Sequence, residues 1–530
     1  MHLLKKICVF VALLSLFFGC RKPTVANWDV DVALPLVNSQ LNIKNFIGDS
    51  IFKADNTGLL YLSVNREITA IKLDSLIAIP DTAFVRSFTV FVGLQPVKVA
   101  PGKSFNQFPS TEIDFNINNG VAIKKVEMRS GLLSIAFSNT LTQPLDMTYM
   151  IPNATKNGQQ FTIFETIPPG KNSLVKDYDL SGFTFNMTGL SGYGYNSISQ
   201  TYTMAISPGA DTALVGNGEI AKIEVSYKKL IPQYLEGYFG QQLIKVPLDT
   251  AKLDLVKNFY ASNFLLNDAN FKFRILNEFG AEFSAALSNI KSINSLHNTS
   301  VALTTGQLSY ININRATKSG GSVYPSIKEI ELNKVNSNII PFLSNLPDKL
   351  TSQGIINVNP LGNISGYHDF AFYDKGIHVI ADINIPMRFN ADYFRLKSNT
   401  AVDFKDVEQL DNVKSGNFVI NATNGYPFKA RLQAYLIDDA GKIIDSLFVP
   451  GKNTVEGGQL DINNKVVAPS LSKVLVPVDV AKIANLRRSK SIQIITYFLM
   501  PPNPPDITIY EEYQFKVNIV AELTYNVERK

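Results

Sequence analysis

Few residues in this 530-residue chain have the types and spacing that catalysis needs. The sequence contains 4 His and 2 Cys, which excludes a disulfide scaffold and a multi-cysteine zinc or iron–sulfur site. Asp369 could orient the imidazole of His368, but no Gly-x-Ser-x-Gly nucleophile motif accompanies this pair. His378 falls on the polar face of an alternating segment, where we expect it to be solvated. The sequence therefore predicts no enzyme, no metal site and no cofactor.

Three Pro-Gly-Lys segments look superficially like the end of a phosphate-binding loop, and they begin at Pro101, Pro169 and Pro450. A phosphate-binding loop has another glycine five residues before its Gly-Lys pair, so that backbone amides can surround the anion. Those positions are occupied by Val97, Glu165 and Ser446. Pro-Gly at the centre of a type II turn explains all three segments.

Adjacent acids could serve a glycoside hydrolase, and the chain contains Asp438-Asp439 and Glu511-Glu512. Neighbours along a strand point to opposite faces, and the first pair lies in a predicted turn. We therefore expect both pairs to be solvated acids and not the catalytic carboxylates of a glycoside hydrolase. Asp177 and Asp179 lack the further oxygen ligands of a calcium loop, so we expect a turn there too.

One loop has the composition of a ligand contact. Tyr193 and Tyr195 alternate with glycines and are followed by Asn196, in an aromatic, amide-rich segment that could stack on sugars. The alternative is a loop tip that packs on its own domain.

The N-terminus has the features of a signal peptide over residues 1–19. Lys5 and Lys6 precede the apolar stretch Ile7–Phe18, which would cover only about 18 Å as a helix, less than the ~30 Å core of a bilayer. Gly19-Cys20 resembles the lipobox of bacterial lipoproteins. That resemblance implies cleavage before Cys20 and lipid attachment to its thiol; the alternative is an ordinary secretory signal with an incidental cysteine.

The residues after Cys20 bear on location. Arg21 occupies the position where Asp is associated with retention in the inner membrane, which favours the outer membrane. Residues 21–24 lack the acidic run that directs some Bacteroidota lipoproteins to the cell surface. We therefore expect a protein anchored in the outer membrane, with the periplasmic face favoured.

Period-two alternation of apolar and polar residues dominates the chain and predicts an all-β, mostly antiparallel fold. The longest alternating segment runs from Tyr513 to Val527, and we expect it to form one strand with a buried apolar face. Trp28 alternates with Asp29 and Asp31, so we expect it in the core of the first strand; the alternative places it at a membrane interface. Helices are expected only near residues 250–260, 338–346 and 479–487.

Two elements recur. Strands run into an asparagine corner at Asn139, Asn277 and Asn424, and apolar-Pro-apolar triplets are centred on Pro35, Pro247, Pro386 and Pro477. Asn139 and Asn277 are 138 residues apart, and Pro247 and Pro386 are 139 apart. This coincidence predicts tandem β-sandwich-like repeats. We place an N-terminal β domain at 20–110, repeat units at 111–260 and 261–400, and a shorter unit at 401–530.

The asparagine corners are similar to those of immunoglobulin-like domains, and the whole layout resembles large cell-envelope lipoproteins of Bacteroidota. The resemblance is structural and implies no catalytic residues. Our first hypothesis is a non-enzymatic binding or scaffolding protein that is held at the membrane through Cys20. Its partner would be an outer-membrane protein, a glycan or another envelope component. The second is a lipid carrier with a tubular β fold, and a glycoside hydrolase ranks below both. Loss of Lys5 and Lys6 with the signal peptide lowers the net charge from +5 to +3, and no long basic block stands out, so binding to nucleic acid is not expected.

Overall fold

The computed structural model describes residues 26–44, 52–105, 109–170, 174–252, 260–404, 410, 412–448, 451, 453–500 and 507–529. The predicted signal peptide and Cys20 lie outside the described residues. The predicted all-β fold is confirmed, since the described chain forms 39 strands and 3 short helices. The ladders that are described between these strands are antiparallel.

The bounds of the elements follow in chain order. Strands β1 to β13 are Ala26–Leu41, Phe52–Ala54, Leu60–Lys72, Thr82–Val90, Val97–Val99, Thr111–Asp114, Ala122–Asn139, Leu145–Lys156, Gln159–Ile167, Leu174–Asp179, Thr184–Asn186, Ser197–Ile206 and Ala213–Val215. Strands β14 to β26 are Gly218–Tyr238, Gln242–Lys252, Tyr260–Ser262, Leu265–Leu266, Asn270–Asn277, Phe283–Asn294, Thr299–Ala302, Ile311–Ile313, Thr317–Ser319, Ser322–Tyr324, Ser326–Leu332, Lys349–Val358 and Asp369–Phe372. Strands β27 to β39 are Gly376–Pro386, Arg388–Asn390, Tyr393–Ala401, Val413–Asn424, Lys429–Ile437, Ile443–Ser446, Thr454–Val455, Gln459–Leu460, Val466–Ala468, Ser470–Pro477, Ser491–Leu499, Ile507–Thr508 and Phe515–Arg529. The helices α1, α2 and α3 are Leu73–Leu76, Ile339–Ser344 and Val480–Arg488.

The chain divides into two compact units, and each is built from separated segments. The first unit comprises Met1–Leu62, Asp254–Asn267 and Pro386–Lys530, and the second comprises Ser63–Leu253 and Asp268–Ile385. Each domain predicted from the sequence is one continuous segment, whereas each unit of the structure is interrupted along the chain by segments of the other.

The first unit is a sandwich of two main sheets. One sheet has the order β1-β39-β30-β36, and the other has the order β16-β29-β37-β31-β32, with β33 on β31. Aromatic rings fill the space between them; the rings of Phe498 on β37 and Phe515 on β39 meet edge to face at 5.7 Å. β1 pairs with β39 from Ala26↔Arg529 to Leu41↔Phe515, so the first described strand closes onto the last.

The second unit contains a ten-stranded sheet with the path β26-β14-β7-β11-β8-β12-β6, joined by β4 on β14, β9 on β8 and β10 on β7. Two further sheets have the orders β15-β25-β19-β20 and β3-β27-β18-β24. The side chains between β14 and β8 are tightly packed. There the hydroxyl of buried Tyr149 donates to Gln200 at 2.6 Å and lies 3.1 Å from the hydroxyl of Tyr227.

The three predicted asparagine corners share one hydrogen-bond arrangement. Asn139, Asn277 and Asn424 end β7, β18 and β30, and each is fully buried. Each side-chain oxygen accepts from the backbone N–H two residues later, at 2.8, 2.9 and 3.0 Å. Each side-chain nitrogen donates to the carbonyl four residues later and to one more distant carbonyl. The tandem period inferred from their spacing stays a prediction.

Two similar sequences at the proline triplets fold differently. Asp479 follows β36 and caps α3, because its side chain accepts from the backbone N–H of Lys482 at 2.7 Å. The corresponding Asp249 lies within β15, which continues across a bulge between Val246 and Asp249 to pair with β25. The expected helix at 250–260 is therefore wrong for residues 250–252, which are strand; residues 253–259 lie outside the described chain.

The expected buried position of Trp28 is wrong. Trp28 is 46% exposed although it lies on the apolar face of β1. The burial of that face falls along the ladder, from fully buried Phe515, Val517 and Ile519 on β39 to half-buried Val527 opposite Trp28. The alternation is correct, but the facing sheet does not cover the end of the strand.

Candidate binding surface

The first Pro-Gly-Lys segment is a turn, as predicted, whereas Lys171, Pro450 and Lys452 of the other two segments lie outside the described residues. Gly102, Gly170 and Gly451 have positive φ angles of 75, 97 and 89°, the region that glycine permits at the third position of a type II turn. In the first segment, the N–H of Lys103 donates to the carbonyl of Ala100 at 3.1 Å, which closes the turn.

His368 and His378 lie beside glutamates. His368 Nδ1 lies 3.2 Å from Glu236 Oε1, whereas Asp369 is buried and accepts from the N–H of Phe239 at 3.1 Å. Asp369 thus does not orient the imidazole of His368. His378 was expected to be solvated, but its ring nitrogens lie 3.0 Å from Glu67 and 3.4 Å from Glu278. Among the described residues, no group of three or more His, Cys, Asp or Glu is placed to hold a metal ion.

The tyrosine loop between β11 and β12 is held by Asn196. Its side-chain oxygen accepts from the N–H of Ile123 at 2.7 Å, and its nitrogen donates to the carbonyl of Val121 at 2.7 Å. Both ends of the amide are therefore used by the backbone before β7 and at its start. Asn196, which the sequence suggested as a ligand contact, positions the loop in this arrangement.

The structure brings Tyr195 together with a residue far along the chain that the sequence did not suggest. The rings of Tyr195 and Tyr367 stack at 4.4 Å with 17° between their planes. Tyr238 on β14 meets Tyr367 edge to face at 6.1 Å. Tyr193, at the tip of the loop, is 88% exposed. We call Tyr193, Tyr195, Tyr238 and Tyr367, with Lys124 described next, the tyrosine surface.

A β-bulge places Lys124 over the stacked rings. In the β7–β14 ladder, Gly237 pairs with Ile123 and Glu236 pairs with Lys125, so Lys124 is the extra residue. Its Nζ lies 5.9 Å from the centre of the Tyr195 ring and 5.2 Å from that of Tyr367, within the range of cation–π attraction. Bulges commonly re-aim a side chain in this way. A Cβ on Gly237 would lie 2.2 Å from the carbonyl oxygen of Ala122, so the bulge requires glycine.

The backbone at Tyr367 is strained. Its φ of 66° is in the left-handed region, which bulky residues rarely adopt. The side-chain oxygen of Asn363 accepts from the N–H of Tyr367 at 2.9 Å and helps to hold this conformation. Strain of this kind is concentrated at binding and catalytic sites.

A charged cluster adjoins the tyrosine surface on the same face of β14. Tyr234, Glu236 and Tyr238 alternate along the strand and so point to one side. Glu236 Oε2 accepts from Lys318 Nζ at 2.9 Å and from the hydroxyl of Tyr234. Burial alone would raise the pKa of Glu236, but hydrogen bonds from Tyr234, Lys318 and His368 outweigh it and lower the pKa to about 2. Burial and the neighbouring Glu236 raise the pKa of Tyr234.

These residues provide aromatic faces, hydroxyl groups and a cation, and they suit recognition better than bond breaking. Lys318 is paired with Glu236, while Lys124 faces the tyrosine rings and has no ion pair among the described residues. The spacing within the tyrosine loop pointed to Tyr193 and Tyr195. Nothing in the sequence near Tyr367 could have linked it to them, because the contact depends on the folded sheet.

No protein-family model matches the chain, and no curated protein matches it. Within the described residues, no helix is long and apolar enough to cross a membrane. Among solved structures, the chain is similar to a Parabacteroides distasonis protein described as secreted, with 8% identity, coverage of 94% of this chain and 99% of that chain, and a TM-score of 0.27. It is also similar to the VP2 subviral particle of infectious bursal disease virus, with 7% identity, coverage of 92% and 86%, and a TM-score of 0.11. At these TM-scores neither likeness supports a functional assignment.

Proposed function

We propose that this protein is a lipid-anchored envelope protein that binds a glycan, without catalysis, at the tyrosine surface. The observation that carries the proposal is the stack of Tyr195 on Tyr367 beneath Lys124, next to exposed Tyr193. Sugar rings present C–H faces that pack on aromatic rings, and their hydroxyl groups accept hydrogen bonds from an ammonium group. The strained backbone at Tyr367 supports a recognition role, because such strain persists where the surroundings fix it.

The size of an apolar cavity in the second unit gives no support to the alternative of a lipid carrier. The second unit contains a cavity of about 20 Å³ lined by apolar side chains that include Phe115, Met128 and Tyr227. Sites for small-molecule ligands usually measure roughly 300–1,000 Å³, and a cavity of this size holds about one water molecule.

The proposed location rests on the sequence around Cys20, with the protein anchored in the outer membrane and facing the periplasm. We expect a Cys20→Ala variant to leave the membrane fraction and to incorporate no labelled palmitate. If the variant stays in the membrane and the parent protein carries no label, the anchor is wrong.

The glycan proposal is tested with the mature chain on an array of envelope and dietary polysaccharides. Tyr195→Ala and Tyr367→Ala should each weaken binding by about tenfold or more, equivalent to ~1.4 kcal/mol. Tyr310→Ala is the matched control, because Tyr310 is 64% exposed in the same unit but outside the tyrosine surface. Circular dichroism checks folding. Binding that none of the tyrosine variants weakens, or no binding across the array, would contradict the proposal.

A further inference from the structure

The end of the β1–β39 ladder extends beyond the rest of its sheet. β1 pairs with β39 out to Ala26↔Arg529. The next strand, β30, starts its pairing with β39 only at Val413↔Tyr525. Beyond that pair, the described residues add to this side of β39 one backbone hydrogen bond, from the N–H of Asn526 to the carbonyl of Asn412 at 3.0 Å, and no further ladder pair. We call residues 26–29 with 526–529 the terminal ribbon.

The two faces of the terminal ribbon differ in how their side chains are satisfied. On the polar face, the Asp29 carboxylate accepts from Lys414 Nζ at 2.7 Å and from Asn526 Nδ2 at 2.9 Å. These hydrogen bonds, that from Lys414 first, lower the pKa of Asp29. On the other face, Trp28 is 46% exposed, and its ladder partner Val527 is half-buried. Both faces are open to solvent, since Asp29 is 48% exposed, but only the second face exposes apolar side chains.

The position of Cys20 indicates what covers this face. Cys20 precedes Ala26 by six residues, which span at most about 20 Å when fully extended. Arg21 and Lys22 lie in that stretch, and basic residues next to a membrane anchor are attracted to anionic lipids. Tryptophan is enriched where bilayer and water meet, because its ring is apolar and its N–H can bond to headgroups or water.

We infer that the apolar face of the terminal ribbon, centred on Trp28, lies in the headgroup layer of a phospholipid bilayer. This inference rests on the proposed lipid anchor at Cys20. It makes the ribbon a second membrane contact, which would limit the rotation of the first unit about a single lipidated residue.

The chain contains one tryptophan, so its intrinsic tryptophan fluorescence reports on Trp28 alone. Cys20 is also the only cysteine of the mature chain. The mature chain can therefore be coupled through Cys20 to maleimide-bearing phospholipid in phosphatidylethanolamine–phosphatidylglycerol vesicles. This reproduces the anchor without relying on lipidation by the cell. We expect coupling to shift the emission to shorter wavelength, to protect Trp28 from acrylamide, and to make it quenchable by brominated phospholipids.

A control variant moves the reporter within the same unit. Trp28→Phe combined with Ile462→Trp places the tryptophan on the β34–β35 hairpin, where Ile462 is 98% exposed. That hairpin contacts the residues just before the opposite end of β39, since the N–H of Val466 donates to the hydroxyl of Tyr513. We expect this variant to show no quenching by brominated lipid.

Three outcomes would overturn the inference: an emission spectrum unchanged by coupling, a blue shift without quenching by brominated lipid, or equal quenching in the control. The second of these would mean that protein covers Trp28. Because the coupling is chemical, these results are separate from the palmitate experiment, whose failure would remove the natural anchor instead.

Discussion

At the scale of single residues, the buried asparagines at the strand corners are the most consequential. Asn139, Asn277 and Asn424 each use one oxygen and two N–H groups to satisfy backbone atoms that would otherwise be buried without partners. A side chain without an amide group cannot both accept from a backbone N–H and donate to two backbone carbonyls. The residue type is therefore set by hydrogen-bond geometry, which is why the same residue occurs at three corners.

We expect Asn277→Ala to lower the free energy of unfolding of the second unit by about 3 kcal/mol or more. It leaves the N–H of Phe279 and the carbonyls of Ala281 and Asn314 unpaired, and each unpaired buried group costs ~1–3 kcal/mol. Urea denaturation measures the effect. Asn116→Ala, at an exposed asparagine of the same unit, should change stability by less than about 0.5 kcal/mol. Similar values for the two variants would show that the corner is not stabilising.

Glu236 should give the second unit a specific acid sensitivity. Its pKa is lowered from 4.5 to about 2 in the folded chain. The stabilisation is therefore complete above pH 4.5 and is lost as the pH falls through about 2. We expect the melting temperature of the parent protein to exceed that of Glu236→Gln at pH 6, and the gap to narrow progressively down to pH 2. Scanning calorimetry across this range checks it, and a constant gap would contradict the role of the charge.

At the scale of elements, the two related proline segments show that local sequence alone does not decide a helix. Both contain an aspartate two residues after the proline. After Pro477 the chain turns into α3 because Asp479 caps it. After Pro247 the strand continues because Asp249–Lys252 pair with Lys349–Ser352. Tertiary pairing overrides the capping signal in the second copy.

This difference yields a matched pair of variants. Asp479→Ala should lower the free energy of unfolding of the first unit by about 1 kcal/mol, the usual contribution of an N-cap. Asp249→Ala should have an effect within about 0.5 kcal/mol, because Asp249 is exposed on a strand. Guanidinium denaturation followed by circular dichroism measures both. Equal losses would mean that Asp479 does not act through the cap.

Much of the fold was predictable from short-range pattern. Alternation located the last strand, now Phe515–Arg529, and the segments near 338–346 and 479–487 are helical as expected. Contacts between distant residues were not predictable. The partner of Tyr195 is Tyr367, and the partner of the first strand is the last. The exposure of Trp28 likewise depends on where the facing sheet ends, and alternation along one strand carries no information about that.

At the scale of the whole molecule, both ends of the described chain belong to one sheet. β1 lies at the edge of that sheet and covers one side of β39, while β30 covers the other. Removing β1 would leave the backbone groups of β39 unpaired on one side. β39 would then be an edge strand, open to pairing with strands of other chains. The first unit should therefore depend on residues that are separated from most of it by more than two hundred positions of sequence.

We expect a chain that begins after Leu41 to lose hydrogen-exchange protection throughout the first unit. The affected amides should include those of β30 and β37, because β30 pairs with β39 and the two sheets share one aromatic core. The amides of β7 and β14 in the second unit should retain their protection, since their ladders lie within that unit. Removal of residues 516–530 should reproduce the same pattern, because it deletes the partner strand. If either truncation left β30 protected, or exposed β7 to the same degree, the closure of the first strand on the last would not be what stabilises the first unit.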